Sequence, residues 1–366
     1  QRRAAAVYNR GPLLHAVQRA RLFEDAKHFV DMPMRRSPEE VLEAFAALPE
    51  VARADPARLR AFVEAHFDEP GAELEHFTPP GFPAEPPFLA ARGVRDEALR
   101  SFARAVHGLW PTLCRTTAPA VAAAPERHSA LPRRFPMVLP GGRFRETYYW
   151  DSLWIVHGLL ASGLSGVARG LVQNLLDDVE QFGFVPNGGR VYYLNRSQPP
   201  LLHAMVAAVA EVLDAPSEAA WLPGAAETLR KEYAWWMQAP RAVPVAGATL
   251  NRFFAEWDAP RPESYWQDCD TSGGDPRVCR ELATVAETGW DFSTRWARDG
   301  GVAAGKFDLS ASEATSVLAV DLNSIMYNFE VTLARLFEAV SIGRRFAEFQ
   351  AAVLPAEFSS ADAVAF

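Results

Sequence analysis

Four stretches of the sequence bring Arg, carboxylate, amide and Trp side chains together on Gly- and Pro-rich runs: 140–151 (PGGRFRETYYWD), 186–200 (PNGGRVYYLNRSQPP), 261–265 (RPESY) and 287–296 (ETGWDFSTRW). That mixture suits a sugar. The C–H faces of a pyranose pack against an aromatic ring, which offers an apolar body with a polar rim. Vicinal hydroxyls call for paired donors and acceptors, which Arg, Asn, Gln and carboxylates supply. Such a site also discriminates strongly, because its buried groups go unpaired with any other ligand. Six of the ten tryptophans (Trp150, Trp154, Trp257, Trp266, Trp290 and Trp296) fall in or near these stretches. Each taken alone also fits as core filler in a helical protein, and Arg143 with Glu146 also reads as a structural ion pair. The repetition of one residue mixture on four loops favours a ligand site.

Loops of this kind need a rigid scaffold, and between them helix signals dominate. Ser37-Pro38-Glu39-Glu40 combines an N-cap, a first-turn proline and a capping-box Glu ahead of Val41, Leu42 and Phe45. Asp55-Pro56 repeats the device before Leu59, Phe62 and Val63. Asp96 opens a third amphipathic run through Leu99, Phe102 and Val106, expected to end at Pro111. Helical periodicity extends over 153–176, 201–213, 225–237 and 317–346. Strand alternation is scarce, with 190–194 the best short candidate. The expected class is all-α, with the chemistry on connecting loops.

Composition narrows the function classes. With 37 basic against 45 acidic residues and a net charge of −8, the chain lacks the basic face a general nucleic-acid or anionic-membrane binder needs. No run reaches the ~20 apolar residues of a membrane span. Its least charged stretch, 152–168, contains His157 and three glycines and reads as a buried helix. The eight histidines show no zinc-type HExxH spacing, and Ser165 lacks the last glycine of a nucleophile elbow. Gly300 to Lys306 fits GxxxxGK, yet Phe307 follows where a Ser or Thr would meet magnesium, so a surface loop is expected. Cys114, Cys269 and Cys279 cannot form a disulfide framework; Cys269 and Cys279 read as free thiols or a local pair.

Three of the four stretches resemble, in order, segments of the trehalase family, glycoside hydrolase family 37. The first resembles its signature PGGRFxExYxWDxY, and the third and fourth its RPES and SGWDFSSRW segments. Val320-Asp321-Leu322-Asn323 resembles its VDLN, and the runs 11–18 (GPLLHAVQ) and 27–32 (KHFVDM) its opening. Leu153 stands where the signature ends in Tyr, and Thr288 where Ser is commoner. The resemblance implies an (α/α)6 barrel, a six-hairpin toroid forming a single domain over 1–366. It also implies hydrolysis of α,α-trehalose to two glucose molecules with inversion. Inverting enzymes use two carboxyl groups about 6.5–9.5 Å apart, one protonating the glycosidic oxygen and one activating water. The resemblance makes Asp291 the general acid, and flanking Trp290 and Phe292 are expected to raise its pKa. It places Arg143, Trp150, Asp151, Asn187, Arg196, Ser197, Gln198, Arg261, Pro262 and Glu263 along the sugar subsites, with the Gly289 backbone beside the substrate. Arg145, Glu146 and Arg190 are expected behind that lining. No metal or organic cofactor is implied, and trehalose is the implied small-molecule partner.

Two family features have no counterpart: a second signature resembling QWDxPNGWAP, and the late Gly-rich segment that carries the general base. The pattern is lost beyond Arg335, so 336–366 reads as a divergent tail, and Glu338, Glu348 and Glu357 sit in no matching motif. The expectation is a barrel incomplete at its C-terminus, exposing apolar surface and turning trehalose over poorly. The alternatives are a catalytically silent trehalose- or oligosaccharide-binding protein and a hydrolase of another glucoside. A periplasmic, bacterial setting is expected, with the cytoplasm as the alternative. Oligomeric state is not legible in the sequence.

Overall fold

The structure, a computed structural model, describes residues 2–298, 300–303 and 305–353. Its class is all-α, as the periodicity requires. Among the described residues, strands are confined to one antiparallel sheet (Leu74–His76, Cys114–Thr117, Met137–Val138) and two hairpins, Ala242–Val245 with Ala248–Asn251 and Val302–Ala303 with Lys306–Phe307. The second hairpin takes up the GxxxxGK decoy.

The local cap signals produce the helices they announce. Ser37 and Glu40 form a reciprocal capping box on Pro38–Ala47, Asp55 caps Pro56–His66, and Asp96 caps Glu97–His107. Four expectations change. The run 153–176 is two helices, Asp151–Ala161 and Ser165–Phe182. Gly163 breaks it with φ +75°, a left-handed conformation that favours glycine. The helix expected from 225 begins at Ala215, capped by Asp214, and accommodates Pro223 inside it. Pro111 does not end the run from Asp96. That helix stops at Gly108, and Pro111 falls in the first turn of a short new one, where its missing N–H costs nothing. The strand candidate 190–194 is a 3-10 turn, Val191–Tyr193, because all three of its side chains are buried and none alternates outward.

Two large hydrophobic cores form, beside a small cluster of Ala255, Trp257 and Ala283. One gathers the N-terminal helices with Leu131 and Val191 to Tyr193; the other gathers the helices from 151 to 236 with Leu322, Met326 and Phe329 of the Val320–Val353 helix. In the second core, Asp151–Ala161 packs on Ser165–Phe182 and Leu202–Ala210 on Ala215–Trp236. The first helices of these two hairpins touch each other, and so do the second helices. Like-on-like stacking of hairpins in two layers is the packing a helical toroid requires. Trp154, Trp290, Val320 and Tyr327 stand exposed, as do Leu99 and Phe102 of the amphipathic helix from Asp96. The expected tail begins as a continuation of the Val320–Val353 helix, while 354–366, with Glu357, lie outside the described residues.

One buried group sets a pH dependence. Glu232 is fully buried, its Oε1 accepting the Tyr149 hydroxyl at 2.7 Å and its Oε2 without a partner. Burial pushes its pKa up to about 8. The neutral acid is thus the form the fold tolerates: stability is intact below the ordinary carboxyl pKa and falls as pH rises toward 8. Glu232→Gln, which can still accept from Tyr149, is expected to melt several degrees above the wild type at pH 9. The gap should close at pH 5. Scanning calorimetry at the two pH values checks this.

Candidate active site

Three of the four stretches lead directly into helices and the fourth leaves one. The first ends at Asp151, on the first turn of Asp151–Ala161; the second precedes Leu202–Ala210; the third precedes Tyr265–Ser272; the fourth follows Pro276–Glu287. Backbone bonds lock the first two together. Tyr149 N–H donates to the Asn187 carbonyl (3.1 Å), Gly189 N–H to that of Thr147 (2.9 Å), and Asn187 N–H to that of Arg196 (2.9 Å).

The stretches surround an open cleft. Of the residues expected at the site, Arg143, Asp151, Asn187, Arg196, Gln198, Arg261, Glu263 and Asp291 line it. Trp150, Ser197, Pro262 and Gly289 stand behind that wall. Trp150 gives its backbone N–H to Gln198 Oε1 (3.1 Å). Its ring lies where a Cβ on Gly289 would be, 2.7 Å away, and Gly289 has φ +72°, so the close approach and the backbone conformation both demand glycine. Ser197 bonds the Val185 carbonyl, and the Pro262 carbonyl accepts from Gln18. Lys27, Pro140, Phe144, Tyr148, Tyr193, Ser264 and Ala286 also line the cleft. Lys27 lay in the quoted 27–32 run and five of the others in the four stretches. Ala286, one residue ahead of the fourth stretch, carried no chemical signal at all.

Each cation in the wall is already matched by a carboxylate. Arg143 makes two 2.7 Å bonds to Asp25, which also caps the Ala26–Val30 helix. The Arg143–Glu146 pair that the sequence allows does not form. Arg196 bonds Asn187 Oδ1 and Glu263 Oε1, both at 2.7 Å, leaving Glu263 Oε2 buried and unpartnered. Arg261 grips Asp268 through Nε and Nη2 at 2.8 and 2.7 Å. Lys27 Nζ donates to Asp31 at 2.6 Å and Glu146 at 2.8 Å, and Arg190 Nε donates to the same Glu146 oxygen at 2.8 Å. Tyr148 donates to Glu146 and meets the Tyr193 hydroxyl at 2.7 Å. Burial pushes Glu146 upward, but Lys27 and Arg190 overcome it and hold the pKa at about 2; in Asp31 burial outweighs the same cations and the pKa rises.

Two carboxyls of the wall stay outside this matching. Among the described residues Asp151 and Asp291 make no ion pair, and burial raises the pKa of Asp151. Asp291 is exposed, and Trp290 is 50% exposed. The apolar surround expected from Trp290 and Phe292 therefore does not close over Asp291, which stays exposed. Chemically, the cleft offers oriented guanidinium N–H groups, free carboxylate oxygens and an amide, arranged around two acids that make no ion pair among the described residues. Among the described residues no cluster of His, Cys, Asp or Glu is placed to hold a metal ion, and no helix is long and apolar enough to cross a membrane. Cys269 and Cys279 are free thiols.

Comparison with known proteins matches residues 21–353 to the family model described as Trehalase. The chain is 40% identical over 343 residues to trehalase of Oryctolagus cuniculus, covering 90% of this chain and 58% of that protein. It is 38% identical over 356 residues to trehalase of Apis mellifera, covering 94% and 56%. A solved neutral trehalase from Saccharomyces cerevisiae aligns with a TM-score of 0.46 at 28% identity, over 56% of this chain and 40% of that one. The chain thus spans a little under three-fifths of the length of the curated relatives it matches. Both relatives are animal proteins, so the bacterial, periplasmic expectation draws no support from them. On the family match over most of its length, the chain belongs to the trehalase family.

Proposed function

We propose that this chain forms the sugar-holding face and the general acid of an inverting α,α-trehalose hydrolase. The observation that carries this reading is the matched cleft: four cations, each paired with at least one carboxylate, with Asp151 and Asp291 left over. A wall without spare positive charge suits a neutral polyol and disfavours phosphorylated sugars, whose dianion needs an unpaired cation. Arg196, Arg143 and Arg261, each held by a carboxylate on one side, present their remaining N–H groups to sugar hydroxyls without further ordering cost. Glu263 Oε2, buried and unpartnered, is a waiting acceptor for a hydroxyl proton.

In this reading Asp291 protonates the glycosidic oxygen as the C–O bond breaks, and a second carboxylate draws a proton from the attacking water on the opposite face of the ring. The family segment carrying that second carboxylate has no counterpart in the sequence, and Asp291 is exposed. Turnover by the 366-residue chain is therefore expected to be slow, with trehalose binding its robust property. The openness of the acid also supports a second reading, a silent trehalose-binding protein. The (α/α)6 toroid as a single domain, of which two stacked hairpins are described, is part of the same proposal. Glucose release and calorimetric titration with trehalose and maltose in parallel separate the readings. Slow release from trehalose supports the hydrolase, binding without any release supports the silent binder, and preference for maltose contradicts both.

A further inference from the structure

Glu287 stands outside the cleft and none of the roles above use it. It is the last residue of the Pro276–Glu287 helix, fully buried, four residues before Asp291. Its Oε1 accepts the Ser197 backbone N–H at 2.8 Å and Arg241 Nη2 at 3.3 Å; its Oε2 accepts the Phe254 backbone N–H at 2.7 Å. One carboxylate thus ties together three segments distant in sequence. Ser197 is the hinge of the matter, since it sits between Arg196, which grips Asn187 and Glu263, and Gln198, which accepts from Trp150.

We propose that Glu287 is a positioning residue that fixes the sugar-binding pair Arg196 and Gln198 relative to the acid Asp291. The inference rests on the functional reading above. Backbone N–H groups from two loops converge on it, and only an acceptor-only side chain satisfies both at once. Gln in its place keeps the volume but offers one oxygen, turning an NH2 group toward the second N–H. One loop must then withdraw, carrying Arg196 and Gln198 with it, and an ångström of displacement at a binding wall is costly. Glu281, on the same helix, is the control: it accepts from Thr315, away from these loops.

The test compares wild type, Glu287→Gln and Glu281→Gln by calorimetric titration with trehalose and by hydrogen exchange of the 185–200 segment. Expected are a trehalose affinity at least tenfold weaker in Glu287→Gln, less than twofold weaker in Glu281→Gln, and faster 185–200 exchange only in Glu287→Gln. Equal affinity in Glu287→Gln and wild type, or an equal loss in Glu281→Gln, overturns the proposal. Should Glu287→Gln fail to fold, Arg241→Gln, which removes the weakest of the three bonds, decides: affinity at least threefold weaker supports positioning, and unchanged affinity overturns it. A wild type that binds no trehalose sinks the functional reading instead, while the exchange comparison still decides whether Glu287 holds the loop.

Discussion

Replacing Asp291 by Asn is expected to cut glucose release from trehalose by about 10²–10⁴-fold, the usual contribution of a positioned acid, while leaving trehalose affinity within a few-fold of the wild type. Asn matches the carboxyl in shape but has no proton to give the departing oxygen. Asp291 makes no ion pair among the described residues, so its loss strands no buried partner charge and the fold should not register it. The contrast lies in Arg196 and Glu263, which support one another in the wall and whose removal should act on binding first. The measurement is glucose accumulation in long incubations beside a titration of the same preparations. A fall in release with binding kept marks an interaction made only in the transition state. Equal release from both proteins would remove Asp291 from the reaction.

Lys27→Met should cost about 3–5 kcal/mol of folding stability, because it strips the shared cation from two carboxylates that have left water. Lys27, Asp31, Glu146 and Arg190 are all buried, and Glu146 owes its low pKa of about 2 to Lys27 and Arg190 together. A carboxyl depressed below its ordinary value stabilises the fold above that ordinary pKa, and the contribution is lost as pH falls through the folded value. The gap between wild type and Lys27→Met should accordingly be full at pH 7 and narrow below about pH 4.5, the ordinary glutamate range. Urea titrations at pH 7 and pH 4 measure both. A gap that is small at pH 7, or that widens in acid, would show that Arg190 alone neutralises the cluster.

What was legible in the sequence was local. Ser37, Asp55 and Asp96 announce helix starts because a cap is satisfied within three residues of itself. The four stretches were visible for the same reason, since each packs its chemistry into fifteen consecutive residues or fewer. Partners joined only by folding were not. Asp25 holds Arg143 across 118 residues, and Glu287 reaches Ser197 across 90. Nothing in an isolated aspartate or glutamate announces such a bond. Nor did apolar periodicity show the break at Gly163, because helices on either side of a left-handed glycine share one unbroken hydrophobic pattern. Asp291 shows the limit from the other direction: its flanking Trp and Phe were read correctly as neighbours, but sequence adjacency does not decide whether a ring covers a carboxyl or faces solvent.

The most direct test of the central claim, a cleft built for a neutral disaccharide, is titration of the purified chain with trehalose at pH 7 by isothermal calorimetry. One-site saturation is predicted, weakened strongly by Arg196→Leu and left nearly unchanged by Asp291→Asn. A chain that is folded yet takes up no trehalose at tens of millimolar, or that binds it equally well without Arg196, would contradict the assignment of this cleft.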